Sequence, residues 1–353
     1  MRQNEELKPI ERVSLTLQHK EPDRVPVYPL LCGVSRKLVN ASYPLWSTDM
    51  DVCAEAYEKV TEAYDLDVIC TLIDLSVEAA DFGQAIIYPE NEAAHPDINN
   101  YMIKGIADYR SLEPIKLVHA PRMLGQVKLC DRLVRRKGDD VPVVSFVFGP
   151  LGILSMMRGQ ANMFMDIMDD PGAVKHGVAA ITETLLEYVD ALAATGVSAI
   201  MLDTLFASQS IMSKTMWKEF EGAYVQKIAD RIRQNGCMVM VHNCGNGLYF
   251  DAQIEMMQPT AISFLHIPDD CQSYAEVKEK YGSEVTLIGH ISPPWLLSAT
   301  EEEIVEECQR EIETFQAGGG YILATGCEYP ANLSLDKARI IVDAAKGAWP
   351  PRN

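Results

Sequence analysis

Short β-branched apolar runs alternate with stretches of helical period along this chain, and that alternation restricts the fold more than any other feature. The runs are Val25–Leu31, Asp67–Asp74, Val141–Gly149, Val197–Thr204, Cys237–Cys244, Ala261–Ile267, Val285–Ile291 and Tyr321–Cys327. Between two of them, Ala173–Ala194 repeats apolar residues at Val174, Val178, Ile181, Leu185, Val189 and Leu192, one face of a predicted helix. A second helix is predicted over Glu301–Gln316, with Thr300 as N-cap, acids in its first turn and Gly318-Gly319-Gly320 as its stop. Eight strands with intervening helices in 353 residues predict an α/β fold, a (β/α)8 TIM barrel spanning residues 1–353 as a single domain. An open doubly wound sheet is the competing architecture. It is disfavoured because no glycine-rich phosphate loop follows an early strand. Residues 1–20 predict an N-terminal helical extension outside the barrel. The interval between the second and third strands is too long for one helix. Its residues 83–118 hold Gln84-Ala85-Ile86-Ile87-Tyr88-Pro89, a polar stretch and Tyr101-Met102-Ile103-Lys104-Gly105, which predicts an inserted hairpin over one face.

Composition removes several function classes. With 48% hydrophobic and 23% charged residues the chain is of ordinary globular type, and no apolar run is long enough to cross a bilayer. A net charge of -19 disfavours a nucleic-acid-binding surface. The nine cysteines form no close CxxC pair and the start, Met1-Arg2-Gln3-Asn4-Glu5-Glu6, lacks a signal-peptide pattern. Reduced thiols and a cytoplasmic location are the expectation.

In a TIM barrel the site sits at the C-terminal ends of the strands, so polar residues there are the candidates. Val241-His242-Asn243-Cys244-Gly245-Asn246 ends the fifth run, and Ala324-Thr325-Gly326-Cys327-Glu328-Tyr329-Pro330 ends the eighth. His242 and Cys244 are two apart on a strand and point to the same side. Either cysteine alone also reads as an ordinary buried thiol. With His242 they make one imidazole and two thiols at one barrel mouth, a donor set suited to zinc with a fourth position left open, as in catalytic sites. Glu78 follows the second strand and Asp203 closes the fourth. Each is readable as a metal ligand, a hydrogen-bond partner for His242, a proton carrier, or merely an acid tying a loop. His290 in Gly289-His290-Ile291-Ser292-Pro293 is a candidate for substrate contact, or an imidazole bonded to a neighbouring backbone, whereas His266 has local partners in Pro268-Asp269-Asp270. Gly149 and Pro150, in Phe148-Gly149-Pro150-Leu151-Gly152, read as a turn that lets a flat ligand approach, or as a strand-to-helix turn. Met156, Met157, Met163, Met165 and Met168 read as core or as a subunit interface, the latter allowing a homodimer.

The combination of His242-x-Cys244-Gly245-Asn246, Gly326-Cys327, Phe148-Gly149-Pro150 and Gly289-x-Ile291-Ser292-Pro293 resembles the uroporphyrinogen decarboxylase superfamily, from about Arg24 to the C-terminus. The resemblance implies the same barrel. Decarboxylases of that superfamily share an arginine-rich N-terminal segment that grips substrate carboxylates. The corresponding stretch here, Tyr28-Pro29-Leu30-Leu31-Cys32-Gly33-Val34-Ser35-Arg36, carries one arginine. The other branch comprises cobamide-dependent methyltransferases, marked by His-x-Cys and a much later Cys that bind zinc, and Glu78 also resembles a glutamate of that branch. His290 stands where the family more often has asparagine. The resemblance therefore implies Zn2+ on His242, Cys244 and Cys327, with Glu78, Asp203 and His290 as catalytic residues. It also implies Gly149 and Pro150 against a corrinoid brought by a separate corrinoid-binding protein. The methyl group would pass to or from a small molecule: a thiol such as coenzyme M, a methyl ether or a methylamine. A cofactor-free decarboxylase using Asp203 or Glu78 is the alternative.

Overall fold

A computed structural model describes residues 7–347. Nine strands occur among them: β1 (Ile69–Thr71), β2 (Ile86–Ile87), β3 (His95–Pro96), β4 (Val143–Phe148), β5 (Ala199–Asp203), β6 (Met238–Asn243), β7 (Ala261–Phe264), β8 (Thr286–Ile291) and β9 (Tyr321–Thr325). Seven form one curled parallel sheet in the order β1-β4-β5-β6-β7-β8-β9. Helices cross over between successive strands and pack outside it, giving the TIM-barrel-like fold expected from the alternation. The longest, Pro171–Ala194, buries Val174, Val178, Ile181, Leu185, Val189 and Leu192. Helix Glu301–Phe315 starts at Thr300 with a capping box to Glu303. None of the described helices is long and apolar enough to cross a membrane.

The first expected strand survives only as a bridge. Val27 pairs in parallel with Leu323 of β9, Tyr28 N–H donates to Leu323 O at 3.0 Å, and Asp67 N–H donates to Val27 O at 3.1 Å. Pro26 and Pro29 interrupt Val25–Leu31 and remove two backbone donors, so no ladder can extend there. The segment nevertheless fills the gap between β9 and β1 and closes the barrel.

Side chains hold that closure. The Asp67 carboxylate, fully buried just before β1, accepts from Arg12 Nη1 at 2.7 Å, from Arg24 Nη1 at 2.6 Å and from Val27 N–H at 2.7 Å. Arg12 also pairs with Asp23 at 2.7 Å. Arg12 lies on helix Pro9–Leu17, the described part of the expected N-terminal extension; residues 1–6 lie outside the described residues. Ile10, Val13 and Leu17 of that helix, together with residues at or near the starts of the strands, line a cavity of about 430 Å³ at the barrel's N-terminal end. The opposite end is left for the site.

Residues 83–118 do contain a hairpin, although not the one expected. Ile86–Ile87 pairs antiparallel with His95–Pro96, inside the polar stretch, and the Tyr101–Gly105 segment instead packs on helix Pro150–Arg158, with Ile103 N–H donating to Met157 O at 3.0 Å. The methionines divide: Met157 and Met163 are buried, whereas Met165 and Met168 are exposed.

Replacing Asp67 with alanine leaves two buried guanidiniums without their shared partner. Loss of one member of a buried ion pair costs about 3–5 kcal/mol. Urea unfolding of Asp67→Ala is expected to show a loss of that order, and an unchanged midpoint would contradict the closure described.

Candidate metal centre

Strand register builds the centre. Asp203 on β5 pairs with His242 on β6, which pairs with Ser263 on β7. Paired residues project to the same face, so the three side chains stand abreast. All three residues are buried. His242 Nδ1 lies 2.9 Å from Ser263 Oγ, and the Phe146 ring packs against the imidazole at 5.8 Å.

Cys244 follows β6 directly, and its turn is held by Asn243. The buried Asn243 amide donates to Thr204 O at 2.8 Å and Ala207 O at 3.1 Å, and its Oδ1 accepts from Gly245 N–H at 2.9 Å. A Cβ on Gly245 would fall 2.7 Å from the Ser208 side chain, which explains the glycine. Cys327 arrives on the loop after β9. Gly326 N–H donates to Ile291 O at 2.9 Å, and a Cβ at Gly326 would fall 2.6 Å from Leu265 Cα, so only glycine lets this loop pass the end of β7. Beyond it, the Glu328 carboxylate accepts from Gly33 N–H at 2.9 Å.

The ligand atoms of His242, Cys244 and Cys327 all lie within 4.8 Å of one another. Of the nine cysteines, these two are partly exposed and the other seven are buried. That contrast separates them from the ordinary buried thiols. The charges respond to the crowding. Cys327 is held well below the usual thiol range by hydrogen bonding from Cys244 and from His242, which outweighs burial. Cys244 is raised because it supplies the proton of that contact. Burial works against charge on His242, but its bond to Cys327 and the nearby Asp203 lift it above the ordinary imidazole value. One imidazole and two thiols, one of them already disposed to ionise, fit Zn2+.

Carboxyls surround this centre. Asp203 is pushed up to about 7, by burial first, with His242 lowering and Cys327 raising it; its Oδ1 has no hydrogen-bond partner among the described residues. Glu78 is buried on helix Val77–Asp81 and accepts from Phe148 N–H at 3.2 Å; burial drives it to about 8. It reaches the same barrel end from the β1–β4 side, not the three-residue cluster itself. Glu221, which carried no signal in the sequence, is also buried and raised to about 8, chiefly by burial. It lies in the π-helical turn Lys218–Gly222 and accepts from Leu151 N–H at 3.2 Å and Trp217 Nε1–H at 2.8 Å.

Gly149, Pro150 and His290 stand in closely packed surroundings. A Cβ on Gly149 would lie 2.6 Å from both Asp203 O and Glu221 Oε1, and Pro150 begins helix Pro150–Arg158. Asp203 and Glu221 occupy the side of Gly149 on which a Cβ would stand, and Gly149 and Pro150 form the strand-to-helix turn. His290 does not face the mouth. Its ring stacks on Tyr274 at 3.5 Å, packs against Phe264 and Phe315, and has Nδ1 3.4 Å from Glu311 Oε1. It sits between the sheet and the outer helices, where burial lowers it to about 3. Arg36, the single arginine of the N-terminal segment, donates to Gly33 O, Ala331 O and Asn332 Oδ1 and so ties two loops together.

The uroporphyrinogen decarboxylase (URO-D) family profile matches residues 8–348, and the chain belongs to that family. Its relatives come from both branches. A uroporphyrinogen decarboxylase of Thioalkalivibrio sulfidiphilus is 23% identical, over 83% of this chain and 85% of its own length. A methylcobamide:CoM methyltransferase of Methanosarcina mazei is 21% identical over 97% and 98%, and a methylated-thiol–coenzyme M methyltransferase of the same organism 22% over 98% and 91%. A solved methyltransferase from Methanosarcina mazei superposes with a TM-score of 0.82 at 20% identity, covering 98% of this chain and all of that one, which establishes the common fold.

The His290–Glu311 pair yields a pH prediction. Burial raises Glu311 to about 8. An acid raised on folding contributes stability below its unfolded value near 4.5, and that contribution is lost as pH rises towards 8. Glutamine can still accept from His290 N–H and Tyr321 Oη–H, the bonds Glu311 Oε2 now makes. In chelator, Glu311→Gln should melt within a few degrees of wild type at pH 6 and clearly above it at pH 9. A parallel pH dependence for the two proteins would refute the neutral pair.

Proposed function

We propose that this chain is a zinc-dependent methyltransferase that moves a methyl group between a corrinoid on a separate protein and a small acceptor or donor. The observation that carries the reading is the convergence of His242, Cys244 and Cys327 at one barrel mouth, with their thiols alone among the nine partly exposed. Relatives named as methylcobamide:CoM methyltransferases support it.

Zinc bound by these residues would supply the Lewis acidity that ionises a thiol or polarises a methyl donor near neutral pH. His242 presents Nε2, since Nδ1 is taken by Ser263. Two cysteine thiolates balance the charge of a divalent ion, which leaves a thiol acceptor nucleophilic. Partial exposure of Cys244 and Cys327 lets a cofactor carried by another protein reach them. The unpartnered, buried Asp203 Oδ1 is available to hold the proton of an incoming thiol beside Cys327. Glu78 lies further off, on the β1–β4 side, and serves the non-metal end of the substrate. For the acceptor we favour a thiol such as coenzyme M; methyl ethers and methylamines are the donors to test in the other direction.

A cofactor-free decarboxylase relying on Asp203 or Glu78 is less well supported, because Arg36 is already committed to Gly33, Ala331 and Asn332. Purified protein should transfer methyl from methylcobalamin to a thiol, or from a methyl ether or methylamine to cob(I)alamin. Cys244→Ser and Cys327→Ser should each reduce that rate by more than the ~100-fold typical of losing a supporting contact, and Asp203→Asn by about 10²–10⁴-fold. Transfer at wild-type rate in either cysteine variant would sink the proposal.

A further inference from the structure

We infer that Ser263 is the positioning residue of the metal centre: its hydroxyl fixes His242 in the tautomer that leaves Nε2 for the ion. The inference rests on the zinc reading above and concerns a residue that the sequence left inconspicuous within Ala261-Ile262-Ser263-Phe264.

A neutral imidazole carries one N–H, and the nitrogen that binds a metal must be the other one. Ser263 Oγ lies 2.9 Å from His242 Nδ1 and has no other side-chain hydrogen bond among the described residues. A hydroxyl can donate or accept. It must accept here if Nε2 is to bind a cation, so the proton belongs on Nδ1. Register enforces the contact: His242 and Ser263 are partners on neighbouring parallel strands, and both are buried, Ser263 completely. Water therefore has little access to replace the hydroxyl. The Phe146 ring packs against the imidazole at 5.8 Å and limits its rotation. With the ring held by a β-strand, an aromatic neighbour and one hydroxyl, Nε2 is the nitrogen turned to Cys244 and Cys327. Contacts of this kind also raise the basicity of the ligating nitrogen, and losing one typically costs about 10–100-fold in metal affinity.

Zinc affinity measured by chelator competition on the full chain tests this. Ser263→Ala should weaken binding about 10–100-fold while the metal-free protein keeps its melting temperature within a few degrees, and Ser263→Thr should restore most of the affinity. A Ser263→Ala affinity within twofold of wild type, or a folded Ser263→Thr no better than alanine, would overturn the assignment. Histidine-labelled, zinc-loaded wild type gives a check free of mutation: ¹⁵N spectra should show His242 protonated at Nδ1 and metal-bound at Nε2, and the reverse pattern would also overturn it. Should wild type bind no zinc at all, the metal reading itself fails, an outcome distinct from a wild type that binds zinc without help from Ser263.

Discussion

The barrel depends on one buried carboxylate. Asp67 gathers Arg12, Arg24 and the Val27 N–H around itself where a regular strand is impossible. The proline-broken segment Val25–Leu31 offers too few donors for a ladder, so side-chain charge replaces part of the missing backbone pairing. Because that segment lies between β9 and β1, its placement turns a curled sheet into a closed wall. The curl of the sheet from β6 to β9 brings Cys327, beyond the last strand, to the mouth that His242 and Cys244 occupy.

At that mouth, local constraints act through backbone as much as through side chains. Asn243 folds the turn that presents Cys244, and glycines at 245 and 326 allow approaches that any Cβ would block. Ser263 and Phe146 hold the imidazole. Asp203, Glu78, Glu221 and Glu328 are all pushed above the ordinary carboxylate range, by burial first. Hydrogen bonding from Cys244 and His242, against burial, lowers Cys327 within this setting.

Much of this was legible in the sequence. β-Branched runs marked seven sheet strands, and the helix over residues 173–194 followed from its apolar spacing, because burial on one face leaves a periodic trace. Strand ends located His242, Cys244 and Cys327 because a barrel mouth collects them. The same logic misjudged His290: position along a strand fixes height in the barrel, whereas the direction of the ring was set by packing with Tyr274, Phe315 and Glu311. At Gly149 the close neighbour Glu221 comes from a turn far away in sequence. Glu221, Ser263 and the Arg12–Asp67 contact left no trace, since each depends on a tertiary neighbour rather than a local pattern. The hairpin partner was misplaced because strands of two residues are too short for any period to show.

X-ray absorption at the zinc edge tests the central claim most directly. One zinc per chain is expected, with two sulfur ligands near 2.3 Å and nitrogen or oxygen ligands near 2.0–2.1 Å, and with added thiol contributing a third sulfur. A zinc shell of nitrogen and oxygen alone, or protein that takes up no zinc, would contradict it.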